Sequence, residues 1–123
     1  MITGIGIDIV EIKRMERWIE DPKLLNRYFN NDELKSISEK KTSMAQTLAA
    51  RFAAKEAFGK ALGTGLAQIA LKDIMIINNE SGKPEIKFSG SAKEAFDKSG
   101  ALKAHVSLSH EKENAIAIII LEV

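Results

Sequence analysis

The chain contains no cysteine. Disulfides, thiolate metal sites and cysteine nucleophiles are therefore excluded, and the composition suits a reducing compartment. Nor is there an excess of charge of either sign: 18 Lys and Arg stand against 17 Asp and Glu, for a formal net charge of +1. That balance excludes both the basic field of a general nucleic-acid binder and the acidic tail of a disordered regulator. Long apolar runs are missing too, and even the C-terminal AIAIIILEV falls well short of a bilayer span of about 20 residues. The N-terminal MITGIGIDIVEIKR has no basic leader, and Asp8 and Glu11 interrupt its short apolar run. It is not expected to be a signal peptide, and the expected location is the cytoplasm. There is no repeat, low-complexity tract or linker, so residues 1–123 are expected to form one domain, with 45% hydrophobic residues to build its core.

What is present reads as alternating strands and helices. The isoleucine-rich residues 2–9 predict a buried strand. From Val10 or Glu11, Ile12, Met15 and Ile19 recur at helical spacing until Asp21-Pro22 stops the helix. A short helical turn is expected over 23–29. Asn30-x-x-Glu33 is a capping box opening a two-turn helix to Ser38, and Thr42 or Ser43 is the expected cap of a long helix ending at Leu62. Residues 71–78 and 85–88 predict a hairpin around the turn at 79–84. Ser91-x-x-Glu94 is expected to cap a helix ending at Gly100, and 104–109 and 115–121 predict two further strands. The order is β-α-α-α-β-β-α-β-β: an α+β domain with a mainly antiparallel sheet packed on a long helix.

Several residues sit where propensity does not place them. Asp8 lies inside a strand, where aspartate is disfavoured; it is either a cap for the helix ahead (Asp8-x-x-Glu11) or a carboxylate facing a ligand. Gly4 and Gly6 beside it allow another backbone or a ligand to come close. Glu56 stands in the apolar run AQTLAARFAAKEAFGKAL, on the helical face shared by Phe52, Gly59, Lys60 and Gly63. Glu56 and Lys60, spaced i,i+4, are either a surface pair worth about 0.2–0.5 kcal/mol or part of a site whose carboxylate needs a cation, lysine or metal. Lys55 points off that face, so Lys55-Glu56 is not expected to be an ion pair. Gly63-Thr64-Gly65 is either a helix C-cap or a bend presenting amides to phosphate. In HVSLSH, Ser109 and His110 face opposite sides of a strand and no G-x-S-x-G elbow exists, which argues against a serine hydrolase. His110 is a turn residue or a ligand contact. This donor set, all oxygen and phosphate-compatible groups, suits Mg²⁺-assisted phosphoryl chemistry.

GIGIDIVEIKR at 4–14, RFAAKEAFGKALGTG at 51–65, SGKPEI at 81–86 and HVSLSHEKENAIAIIILE at 105–122 together resemble the holo-[acyl-carrier-protein] synthase family, the short, trimer-forming 4′-phosphopantetheinyl transferases. The resemblance covers almost the whole chain. It implies transfer of 4′-phosphopantetheine from coenzyme A to a serine of apo acyl carrier protein, leaving adenosine 3′,5′-bisphosphate, in fatty acid biosynthesis. It implies Mg²⁺ held by Asp8 and Glu56 and phosphate contact by Lys60. Gly63, Thr64, Gly65 and His110 would border the coenzyme. Arg51 and Lys55 lie in the same motif without an assigned contact, and the base stays open among Asp8, Glu56 and a metal-bound water. The family docks its acidic carrier through the first helical region, where Arg14, Arg17, Lys23 and Arg27 are the candidates; Glu16, Glu20 and Asp21 dilute their charge. A homotrimer with active sites between subunits is implied as well. A coenzyme A or nucleotide sensor without turnover and a purely structural oligomer are the competing classes.

Overall fold

A computed structural model describes residues 1–38 and 44–123. Its elements are β1 (Ile2–Glu11), α1 (Ile12–Ile19), α2 (Pro22–Tyr28), α3 (Asn31–Ser38), α4 (Met44–Leu62), a 3₁₀ turn (Leu71–Asp73), β2 (Ile74–Asn78), β3 (Pro84–Phe88), α5 (Gly90–Lys98), β4 (Lys103–His110) and β5 (Asn114–Glu122). Three antiparallel strands in the order β1-β5-β4 form one sheet and β2-β3 a second. The α+β class and the sheet-on-helix arrangement follow the sequence expectation. Four helices, not three, precede β2. The short turn expected over 23–29 is a full helix because the Asp21-Pro22 pair that ends α1 also starts α2: Asp21 Oδ1 accepts from the amides of Lys23 (3.2 Å) and Leu24 (3.4 Å), and proline takes the first helical position, where no amide bond is lost. The expected cap at Thr42 or Ser43 lies outside the described residues.

α4 is the axis of the molecule. Alanines make up much of it, and most of its length is buried on every side, between the sheets and the helices α1 and α3. Small side chains let neighbours approach, and at β1 the approach is extreme. A Cβ added to Gly4 would fall 2.0 Å from the carbonyl oxygen of Ala61, and one added to Gly6 would fall 1.9 Å from that of Ala57. The two glycines of GIGID therefore exist for backbone-to-backbone contact with α4. Around this seam Val10, Met15, Leu48, Phe58, Ile74, Ile76, Ile119 and Leu121 close the core.

The register sorts the large sheet into two faces. Asp8 pairs with Ala117, which pairs with Leu108; Val10 pairs with Ala115, which pairs with His110. Ala115, Ala117, Ile119 and Leu121 are buried against α4. The other face carries Ile5, Ile7 and Ile9, which are 59%, 53% and 62% exposed, beside the half-buried Ile116, Ile118 and Ile120 of β5.

α5 departs from the expected capping box. Ser89, not Ser91, precedes the helix and makes no side-chain cap. Asp73 supplies the cap instead: its Oδ2 accepts from the amide (2.8 Å) and hydroxyl (2.6 Å) of Ser91. A Ser-x-x-Glu spacing cannot reveal a cap donated from 18 residues away. Asp73→Ala is expected to lower stability by about 1 kcal/mol, the usual worth of an N-cap, readable by urea denaturation. Among the described residues no helix is long and apolar enough to cross a membrane.

Candidate functional site

The seam between β1 and α4 places the first two candidate residues. Asp8 is a strand residue on the α4-facing side of β1. It does not cap α1: the residue before that helix is Glu11, with no side-chain cap bond. Glycine at positions 4 and 6 brings the strand onto the helix, so the Asp8 side chain, 18% exposed, meets the C-terminal half of α4. There Lys60 Nζ donates to Asp8 Oδ1 (3.0 Å) and to the carbonyl of Ile7 (3.0 Å). The expected i,i+4 partner of Glu56 thus bonds across the seam, because a strand carboxylate stands within its reach.

Glu56, one turn before Lys60, is half-buried. Its pKa is raised above the ordinary carboxylate value, first by desolvation and then by the negative charge of Asp8, while Arg14 and Lys60 pull the other way. Two carboxylates from distant parts of the chain therefore share one patch of low-dielectric surface, with cations at its rim. Like charges held together in this way call for a cation between them. Mg²⁺ is bound through one or two carboxylates with the rest of its shell left to water and phosphate, so a two-carboxylate set fits it. No cluster of three or more His, Asp or Glu side chains that could hold a metal ion occurs among the described residues.

Beyond Lys60 the helix ends in the expected glycine bend. Gly63 and Gly65 have φ of 81° and 73°, the left-handed conformation that favours glycine. The Gly63 amide donates to the carbonyl of Lys60 (3.1 Å) and that of Gly65 to the carbonyl of Gly59 (3.0 Å), so the C-cap reading holds. A Cβ on either glycine would meet nothing within 4 Å. Open space thus lies over the loop, with Thr64 exposed at its tip. On its far side the loop borders a cleft of about 640 Å³ shared with α5 and lined by Thr64, Gln68, Ser91 and Lys98.

His110 is not drawn into this cluster. It ends β4 two strands away from Val10, about 10 Å across the sheet, on the α4-facing side by alternation and exposed. Arg51 and Lys55 are both buried, and Arg51 Nε donates to the carbonyl of Ile76 (3.0 Å). Lys55 pairs with Glu33, not with Glu56. Arg14, Arg17, Lys23 and Arg27 are all exposed on α1 and α2. Arg14 differs from the others, with its guanidinium 5.6 Å from the Trp18 ring and 5.2 Å from that of Phe52. The residue that sequence reasoning missed is Glu33. Its capping-box role is real, since its amide donates to Asn30 Oδ1 at 2.9 Å, but nothing in the spacing signals that the same carboxylate reaches Lys55.

Comparison with known proteins finds relatives along almost the whole chain. Residues 4–119 match the profile described as the 4′-phosphopantetheinyl transferase superfamily. The chain is 52% identical over 122 residues to a Treponema denticola protein named holo-[acyl-carrier-protein] synthase, covering 99% of each. It superimposes on the crystal structure of the synthase of that name from Neisseria meningitidis with a TM-score of 0.89 at 32% identity, over 100% of both chains. The Bacillus anthracis structure, described as a complex with CoA (3′,5′-ADP), gives a TM-score of 0.81 at 37% identity, over 99% of this chain and 97% of that one.

Proposed function

The chain belongs to the 4′-phosphopantetheinyl transferase superfamily, and from that premise we propose that it transfers 4′-phosphopantetheine from coenzyme A to a serine of apo acyl carrier protein, releasing adenosine 3′,5′-bisphosphate, in fatty acid biosynthesis. Residues 1–123 act as one transferase domain of the cytoplasm. The observation that carries the proposal is the seam itself: Asp8 and Glu56 converge on one patch with Lys60 beside them, in a chain whose structural relatives include one described with coenzyme A bound.

In this reading Asp8 and Glu56 would hold Mg²⁺, and the ion would supply positive charge against the pyrophosphate and the leaving bisphosphate. Lys60 leaves Asp8 to contact a phosphate as a compact point charge. The bend Gly63-Thr64-Gly65 leaves room for the coenzyme to lie against the helix end. The serine oxygen forms the new bond to phosphorus as the bond to the leaving phosphate breaks, and the serine proton passes to a base of the site. The exposed isoleucine face of β1 and β5 is contiguous apolar surface of the kind that self-association covers. A homotrimer formed through such a face accounts for His110: a partner subunit's strand end, and not that of the same chain, then completes the coenzyme site. Arg14, Arg17, Lys23 and Arg27 present the positive side of α1 and α2 to an acidic carrier.

Incubation with coenzyme A, Mg²⁺ and apo carrier is expected to add the phosphopantetheine mass to the carrier. EDTA should abolish the addition and excess Mg²⁺ restore it. An unmodified carrier, alongside a working control enzyme, would sink the proposal.

A further inference from the structure

The loop that borders the cleft leaves α4 after Leu62 and returns at Leu71. Its departure is fixed by the helix end: the amides of Gly63 and Gly65 bond back to Lys60 and Gly59. Leu66 also folds over Gly59, where a Cβ would stand 2.8 Å from the Leu66 Cγ. At its return the amide of Ala70 donates to Ser91 Oγ (2.8 Å) and Asn30 Nδ2 donates to the carbonyl of Lys72 (3.2 Å), and between these bonds lies one buried side chain. Lys55 Nζ donates to the carbonyl of Leu71 (2.9 Å), to that of Ile74 and to Glu33 Oε1 (2.7 Å). An ammonium has three N–H donors, and all three are used. Glu33 is tied in turn to the hairpin: its Oε2 accepts the amide of Ile76 (3.0 Å) and its Oε1 faces the amide of Asn30 (3.4 Å). Neither side chain of the pair is exposed at all, and the Phe29 ring lies 4.8 Å from the ammonium.

A fully buried ion pair is often replaceable by apolar residues of similar volume without loss of stability. Packing alone does not call for it here. What apolar side chains could not supply is a donor for two carbonyls on the far side of the loop. Lys55 also adjoins Glu56 in sequence and points about 100° away from it around the helix. The same turn of α4 therefore faces the carboxylate patch on one side and anchors the loop's return on the other.

We propose that Lys55, held by Glu33, is a positioning residue for coenzyme A: it clamps the exit of the 63–70 loop onto α4 and so fixes the loop against the phosphate-binding side of Lys60. This rests on the transferase reading for its ligand. Neither residue touches the coenzyme, and the chemistry at Asp8 and Glu56 does not pass through them.

The informative protein is the double variant Glu33→Gln/Lys55→Met. Lys55→Met alone strands a buried carboxylate and is expected to fold poorly, whereas the pair removes both of its charges together and fills the space, with Arg51 still bonded to the carbonyl of Ile76. The double variant should fold, yet lose coenzyme A affinity about tenfold, by calorimetry and by KM, with kcat at saturation within about threefold of wild type. Amide exchange in residues 63–70 should speed up about tenfold or more, because the loop opens locally. Glu33→Gln alone leaves the buried ammonium without its counter-charge and is expected to unfold earlier than the double variant. A folded double variant with wild-type affinity and unchanged loop exchange would overturn the inference, as would a loss confined to kcat. If the wild-type protein itself fails to bind coenzyme A, the transferase reading falls, and the exchange measurement still decides whether Lys55 clamps the loop.

Discussion

Gly6→Ala should unfold the protein at markedly lower urea concentration, with a loss of about 3 kcal/mol or more, at or above the upper end of the usual overpacking range. The alanine Cβ would stand 1.9 Å from the Ala57 carbonyl oxygen and 2.6 Å from the Ala61 amide nitrogen. Both are backbone atoms of a buried helix and cannot rotate aside. The strand must retreat by more than an ångström, breaking the contact between β1 and α4 on which much of the core depends. Activity should fall further than stability does. Asp8 lies two residues along the same strand, and a displacement of about 1 Å at a reacting centre can cost about a hundredfold in rate. Urea unfolding and the mass-addition assay at a temperature where the variant remains folded separate the two effects. Near-wild-type stability would mean that the seam is looser than it is described here.

Glu56→Gln is expected to remove activity by about a hundredfold or more while leaving the fold intact. Substitution beside a metal's ligands commonly costs about 10–100-fold, and a ligand itself should cost at least the upper figure. The stability side has the opposite sign. In the metal-free protein the Glu56 pKa is raised, chiefly by desolvation and then by Asp8. A raised carboxyl pKa contributes stability that is fully present below the unfolded value and is lost as pH rises through the folded one. At neutral pH without metal, the ionised Glu56 is therefore a small burden that glutamine relieves. The variant should unfold no earlier than wild type without Mg²⁺, and it should lose the melting-temperature increase that Mg²⁺ with coenzyme A gives the wild type. Retention of near-wild-type activity by Glu56→Gln would remove the metal-ligand role.

The elements legible in the sequence were those with an undivided local signal. The alanine-rich α4, the hairpin around Ser81-Gly82 and the terminal strands stand where periodicity and turn residues put them; the isoleucine run of β1 is a strand as expected but not a buried one, because Ile5, Ile7 and Ile9 point away from α4 and are exposed. Boundaries blurred where one residue serves two elements. Val10 and Glu11 continue β1 instead of starting α1, because β5 supplies partners as far as Asn114. The 3₁₀ turn at Leu71–Asp73 delays β2, since the carbonyl of Leu71 accepts from Lys55 and the carboxylate of Asp73 caps α5. At the site, Asp8 and Glu56 stood out as charges among apolar neighbours, a signal that burial itself creates. The Glu33–Lys55 pair stayed hidden because each residue already had a sufficient local explanation. Of the two readings open for Lys60, the i,i+4 surface pair is replaced by a bond to Asp8, which helical spacing cannot foresee because it sees Glu56 but not a strand packed on the helix.

One feature of α1 reaches beyond docking. The chain has a single tryptophan, and Trp18 is 9% exposed, stacked on Tyr28 at 5.1 Å, with the Arg14 guanidinium over its ring. A cation held on an indole face sets the local field that tunes its emission. If the proposed carrier engages Arg14, that field should change, and its arrival is expected to shift the emission of Trp18. The molecule carries a built-in optical reporter at the doorway through which its second substrate is expected to arrive, and association can be timed there before any bond is made or broken.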